Sequence, residues 1–111
     1  SGGFLPYAET LIRRALIAEQ WEAGEEVAGV VTLVYDHHQR QLQDQITEVQ
    51  HDYHHLVVST THVHLDHHHC LEVAIVRGKA GKVREMAQKI IALRGVKDGH
   101  LTTTSAGHNL R

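Results

Sequence analysis

The chain has 111 residues, 41% of them hydrophobic, and a net charge of −2 with its histidines neutral. That is enough for one small domain plus an appendage, and thin enough to gain from assembly into several copies. The slightly acidic balance excludes the basic footprint of a nucleic-acid-binding domain, the single cysteine excludes an internal disulfide, and no apolar run approaches a membrane span or secretory signal, so a soluble cytoplasmic protein without membrane contact is expected. The outlying number is twelve histidines, clustered as His37-His38, His51, His54-His55, His62, His64, His67-His68-His69, His100 and His108. Near neutral pH they are mostly in the uncharged form that binds metal.

Ser1-Gly2-Gly3 carries no fold information, and Pro6 suits a first helical residue. Between Tyr7 and Glu22 the apolar positions Tyr7, Leu11, Ala15 and Ala18, with Ile12 and Leu16 beside them, predict an amphipathic helix that wants a partner surface. Ala23-Gly24-Glu25-Glu26 ends it and the pattern changes period, which predicts a boundary near residue 25. Val27 to Tyr35 is β-rich and apolar on both faces, as in a central strand buried on both sides.

Asp36 is placed to N-cap the next segment. From His38 to Asp52, Leu42, Ile46, Val49 and Tyr53 recur at helical spacing. At 100° per residue His51 falls roughly 160° from Val49, so it points away from the sheet this helix would cover. Leu56 to Leu65 and Cys70 to Val76 read as an antiparallel pair, with Leu71, Val73 and Ile75 on one face and Cys70, Glu72 and Ala74 on the other. Gly78 and Gly81 frame a turn. Val83, Met86, Ala87, Ile90 and Ile91 form a second helix stopped at Gly95, and Val96 to Thr104 closes as a fourth strand. From residue 27 the order is βαββαβ, an α+β arrangement in which both helices cover one sheet face. The opposite face needs other cover, and the metal-ligating residues are expected on it.

The chemistry concentrates in Thr61-His62-Val63-His64-Leu65-Asp66-His67-His68-His69-Cys70-Leu71-Glu72. In an extended strand His62 and His64 share a face about 6–7 Å apart at Cα. A reversal through the histidine run returns Cys70 beside His64. Two imidazoles and a thiolate suit zinc, copper or nickel rather than magnesium or calcium, and the spacing does not choose among the three. Three ligands are also one short of four. The competing reading is a polar hairpin tip with a structural buried cysteine. A zinc enzyme with water in an open fourth position and Glu72 as general base is the alternative activity, and a metal-free small-molecule module is the third.

Tyr35-Asp36-His37-His38-Gln39-Arg40, Gln50-His51, Thr61-His62-Val63-His64-Leu65-Asp66 with Cys70-Leu71-Glu72, and Leu93-Arg94-Gly95-Val96-Lys97 stand at spacings that need no gap. On these motifs residues 27–103 resemble the C-terminal regulatory domain of the nickel-responsive transcriptional regulators of the ribbon-helix-helix class. The resemblance implies a ferredoxin-like, ACT-like domain over residues 26–111 that forms a homotetramer, a dimer of dimers, with Ni(II) at subunit interfaces. It further implies a square-planar site from His62, His64 and Cys70 of one subunit and His51 of another, with Glu72 behind the ligands. His37, His38, His54 and His55 are candidates for secondary metal sites.

In that family a DNA-reading strand and two helices come first. Residues 1–25, with a helix over about 7–22, look like the second of those helices and a linker. Operator DNA is therefore expected as a partner of the complete protein and not of these residues alone, and the implied role is repression of nickel-uptake genes, without catalysis.

Overall fold

The computed structural model describes residues 4–108 and 110, with side chains from Tyr7 onward, so Ser1-Gly2-Gly3 and the last residue of the proposed domain lie outside the described residues. The elements in chain order are α1 (Phe4–Glu22), β1 (Glu26–Asp36), α2 (Arg40–Asp52), β2 (Val57–His64), β3 (His69–Lys79), α3 (Ala80–Ile91) and β4 (Val96–Ser105). The four strands form one antiparallel sheet in the order β2-β3-β1-β4. The expected βαββαβ unit preceded by a helix is therefore the observed fold.

Strand alternation builds the core. Val27, Val31, Leu33 and Tyr35 of β1 and Cys70, Ala74 and Val76 of β3 are buried on the face that receives Leu42 and Ile46 from α2 and Val83, Met86, Ala87 and Ile90 from α3. Fully burying each such side chain contributes about 1.5–3 kcal/mol. The expectation that β1 is buried on both sides holds on one: Ala28, Val30, Thr32 and Val34 on its other face are half-buried, because no element among the described residues lies over them. With Leu71, Val73, Val63 and Ile75 they form an open apolar sheet face, on which Ile75 is 45% exposed and Val63 49%.

Three local expectations are corrected. No turn separates β3 from α3, since the strand runs through Gly78 to Lys79 and the helix starts at Ala80. Gly78 instead leaves room for the Leu56 side chain, whose end a Cβ there would displace. Asp36 does not cap α2: Gln39 occupies that position, and the Asp36 carboxylate accepts the His38 amide at 2.9 Å within a tight turn. Helix α1 begins two residues before Pro6, which its first turn tolerates because an N–H there has no helical acceptor. Gly95 does stand past α3, at φ +104, where a side chain would also strike Gln39 and Leu42.

Helix α1 meets the domain with its C-terminal end. Ile17, Gln20 and Trp21 are buried, while Tyr7, Leu11, Ile12 and Leu16 of the expected apolar stripe remain exposed. A 19-residue helix runs for roughly 28 Å, so its first half projects past the sheet. Trp21 anchors the near end, donating Nε1–H to the Thr104 carbonyl at 2.9 Å under the Arg84 guanidinium, 5.1 Å from the ring. Arg14 reaches the Thr103 carbonyl at 3.2 Å. Among the described residues no helix is long and apolar enough to cross a membrane.

Candidate metal centre

The register of the β2–β3 hairpin sets His64 opposite Cys70 and His62 opposite Glu72, and β1 sets Tyr35 opposite Cys70 from the other side. Cross-strand partners share a sheet face, so His62, His64, Cys70, Glu72 and Tyr35 all point the same way. That face is the one under the helices. The expectation that these ligands occupy the uncovered face is thus overturned: Cys70 and Glu72 alternate in phase with Ala74 and Val76, whose apolar side chains are consumed by contact with the helices. The ligands line a cleft of about 410 Å³ between the hairpin and α2, together with Gln50, Thr47 and Asp44.

Burial grades across the cleft. Cys70 is 1% exposed, whereas His62 and His64 lie on the sheet's outer strand and are open to solvent. Glu72 is buried and fully engaged: the Tyr35 hydroxyl donates to Oε1 at 2.8 Å and the Gln50 amide to Oε2 at 2.8 Å. Burial, then the adjoining Glu72 carboxylate, holds the Tyr35 phenol far above the ordinary tyrosine range. A carboxylate held by two donors is a rigid wall rather than a free base, which fits the role behind the ligands better than that of a general base. Tyr35 and Gln50 were assigned no role from sequence. Their contribution depends on pairing between strands and helix that no local pattern reveals.

His51 is exposed near the C-terminal end of α2, as its angular position predicted, and its ring lies 6.1 Å from that of His54. It does not line the cleft that holds His62, His64 and Cys70. The donor chemistry present, two imidazoles and a buried thiol in one cleft, fits a borderline transition metal. Three of the four expected ligands line one cleft, although their ligand atoms do not all lie within 4.8 Å of one another, and His51 does not line it.

Of the other histidines, all but His100 and His108 fall into two groups. His37 stacks on His64, with centroids 4.3 Å apart and planes 7° from parallel, and both His37 and His38 reach the His67 carbonyl through Nε2, at 2.8 and 3.0 Å. His54 and His55, between α2 and β2, sit edge to face at 5.8 Å. At the tip, Asp66 accepts the amides of His68 and His69, each at 2.8 Å, and the His69 ring, followed by these amides, holds its carboxyl well below the usual range. The hydrogen bond from the His38 amide lowers Asp36 as well. Among the described residues the three whose ligand atoms all lie within 4.8 Å of one another are Asp36, His38 and His68. Asp36 and His68 were not singled out as ligands from sequence, because the pairing that joins them is tertiary.

A ferredoxin-like βαββαβ sheet behind a leading helix, with a histidine and cysteine cleft on its hairpin, defines a small metal-binding domain of the ACT-like kind. The family model described as the NikR C terminal nickel binding domain matches residues 28–104, and the chain belongs to that family. It is 53% identical over 100 residues to a nickel-responsive regulator of Desulfotalea psychrophila, covering 90% of this chain and 74% of that protein. It is 54% identical over 101 residues to the corresponding proteins of Pelobacter propionicus and Geobacter sulfurreducens, each covering 90% of this chain and 73% of the relative. Among solved structures, an uncharacterized protein of Thermotoga maritima superposes with a TM-score of 0.64 at 11% identity, over 71% of this chain and 98% of that one. The C-terminal domain of the MgtC protein from Mycobacterium tuberculosis gives 0.53 at 8% identity, over 75% and 93%. These two speak to the fold alone. The family is one of regulators and not of enzymes, and the zinc-enzyme alternative finds no support in it.

Proposed function

We propose that this chain is the nickel-sensing and oligomerising part of a DNA-binding transcriptional regulator that represses nickel-uptake genes in the cytoplasm. Residues 26–111 would form the sensing domain, and residues 1–25 would belong to the DNA-binding part. The observation that carries the reading is the shared cleft of His62, His64 and Cys70 beside an engaged Glu72, with His51 outside it. His62, His64 and Cys70 would hold Ni(II), with His51 supplied by another subunit. When bound, Ni(II) would supply a centre shared by donors of two chains, and three nitrogens with one sulfur form a set that Ni(II) and Cu(II) accept readily.

The chain's own residues do the remaining work. Tyr35 and Gln50 fix Glu72, which lines the cleft beside Cys70 and opposite His62. The open sheet face leaves Val30, Val34, Leu71 and Val73 half-buried and Ile75 exposed, and contiguous exposed apolar residues of this kind mark interaction surfaces. Covering it with a second copy supports the homotetramer, a dimer of dimers. An ion changes DNA affinity only by binding one arrangement of subunits better than another, and ligands drawn from two chains provide that difference.

The test is complementation between defective chains. His51→Ala and Cys70→Ala homo-oligomers each lack a ligand at every site, and their mixed oligomers contain some complete sites. Nickel–thiolate absorbance should reappear in refolded mixtures. If mass spectrometry verifies mixed oligomers and the absorbance stays absent, His51 does not ligate across the interface.

A further inference from the structure

A second convergence of ligands lies where β1 ends against the hairpin tip. Asp36, the last residue of β1, is paired with His69, and the His37 amide donates to the His68 carbonyl at 3.0 Å. The two segments are therefore held together by main-chain bonds, independent of what the side chains do. The Asp36 Oδ1 accepts the His38 amide at 2.9 Å, which turns His38 back over the tip, 5.4 Å from the His68 ring. Because a carbonyl can only accept, the contact of His38 Nε2 with the His67 carbonyl at 3.0 Å places the proton on that nitrogen. A neutral His38 then keeps its lone pair on Nδ1, the arrangement in which one ring nitrogen is anchored and the other is left to ligate.

We propose that Asp36, His38 and His68 form a second divalent transition-metal site, complete within one chain and separate from the thiolate cleft. Their ligand atoms already lie within 4.8 Å of one another. Metal–ligand bonds of about 2.0–2.2 Å place donors roughly 3–4 Å apart, so the remaining distance is closed by the exposed His68 ring and the Asp36 carboxylate moving toward a His38 ring held through Nε2. One carboxylate and two imidazoles present a single negative charge to the ion. That set favours Zn(II) or Ni(II) with water in the open positions, and the imidazoles disfavour magnesium and calcium. An ion there would staple the end of β1 to the hairpin that carries His62, His64 and Cys70. With no thiolate and with both rings exposed, it binds more weakly than the first site and gives no sulfur charge-transfer band.

The experiment counts metal and reads the cleft separately. In equilibrium dialysis against Ni(II), the full chain should take up a second, weaker equivalent. His68→Ala and Asp36→Asn should lose it while keeping the nickel–thiolate band of the first site, and His54→Ala should keep both. Co(II) added after the first equivalent should broaden the ring signals of His38 and His68 in NMR spectra and leave those of His54 and His55 sharp, a readout that needs no variant to fold. A second equivalent retained in His68→Ala, broadening at His54 and His55 instead, or no second equivalent in the unaltered chain would each overturn the site. Failure of the proposed sensing function looks different: the thiolate band would be missing in the unaltered chain, with the His68-dependent equivalent still present.

Discussion

Along β3 the even-numbered residues Cys70, Glu72, Ala74 and Val76 lie buried beneath α2 and α3, while Leu71, Val73 and Ile75 look out from the opposite face, with Ile75 45% exposed. Both faces are rich in apolar side chains, so the sequence marks β3 as a strand without marking which side the helices take. Coverage separates their roles. The covered face spends Ala74 and Val76 on the core and presents Cys70 and Glu72 to the cleft, where the strand passes beneath the edge of α2. The uncovered face has no partner among the described residues, and the proposed assembly would be what covers it.

The sharpest break of this comparison is chemical. Cys70→Ala should abolish the nickel–thiolate absorption entirely, and Leu71→Ala, one residue along on the other face, should leave it in place. A band that survives the loss of Cys70 would remove the cleft from the metal's path. Acid should release the ion in both the unaltered chain and Leu71→Ala, because imidazoles and thiol must lose protons to ligate.

A second contrast is one of stability. Ile90, fully buried from α3 against the covered face, should cost about 2–5 kcal/mol when cut to alanine. The same cut at Ile75 should cost about 1 kcal/mol or less under conditions that keep the chain monomeric. Denaturant unfolding of the two variants measures the difference, and equal losses would mean that the open face is covered within one chain. Ile75→Lys should then shift sedimentation toward smaller species with little change in monomer unfolding; unchanged assembly would exclude this face as an interface.

The smallest expected effect is the alkaline one at Tyr35. Burial and the Glu72 carboxylate raise its folded pKa above the ordinary value of 10.0. Above about pH 10 the unfolded chain has therefore released this proton while the folded chain retains it, so stability is fully present below that pH and falls as pH rises beyond it. Glu72→Gln removes part of the cause and should shallow the decline. Identical alkaline slopes for Tyr35→Phe and the unaltered chain would show that other groups carry it.

Much of this was legible in one dimension. The 3.6-residue recurrence of Leu42, Ile46 and Val49 and the two-residue alternation around Cys70 are local consequences of backbone geometry, so element order, the βαββαβ class and the pairing of His64 with Cys70 could be read from the chain. The outward position of His51 followed from the same periodicity. In α1 that reasoning failed: Tyr7, Leu11 and Leu16 form an apolar stripe, yet Ile17 and Trp21 make the contacts. An apolar stripe states that a surface is wanted, not that the surface lies within reach.

What the sequence determined by itself was therefore whatever depends on neighbours a few residues apart: the elements, the hairpin and the donor types His62, His64 and Cys70 on one side of it. Only the tertiary structure decided which sheet face the helices cover, that Tyr35 and Gln50 clamp Glu72, and that Asp36 and His38 meet His68. These join segments 22–37 positions apart. Their meeting is set by strand register and helix packing, which emerge from the best burial of the whole chain at once and leave no local periodicity to read.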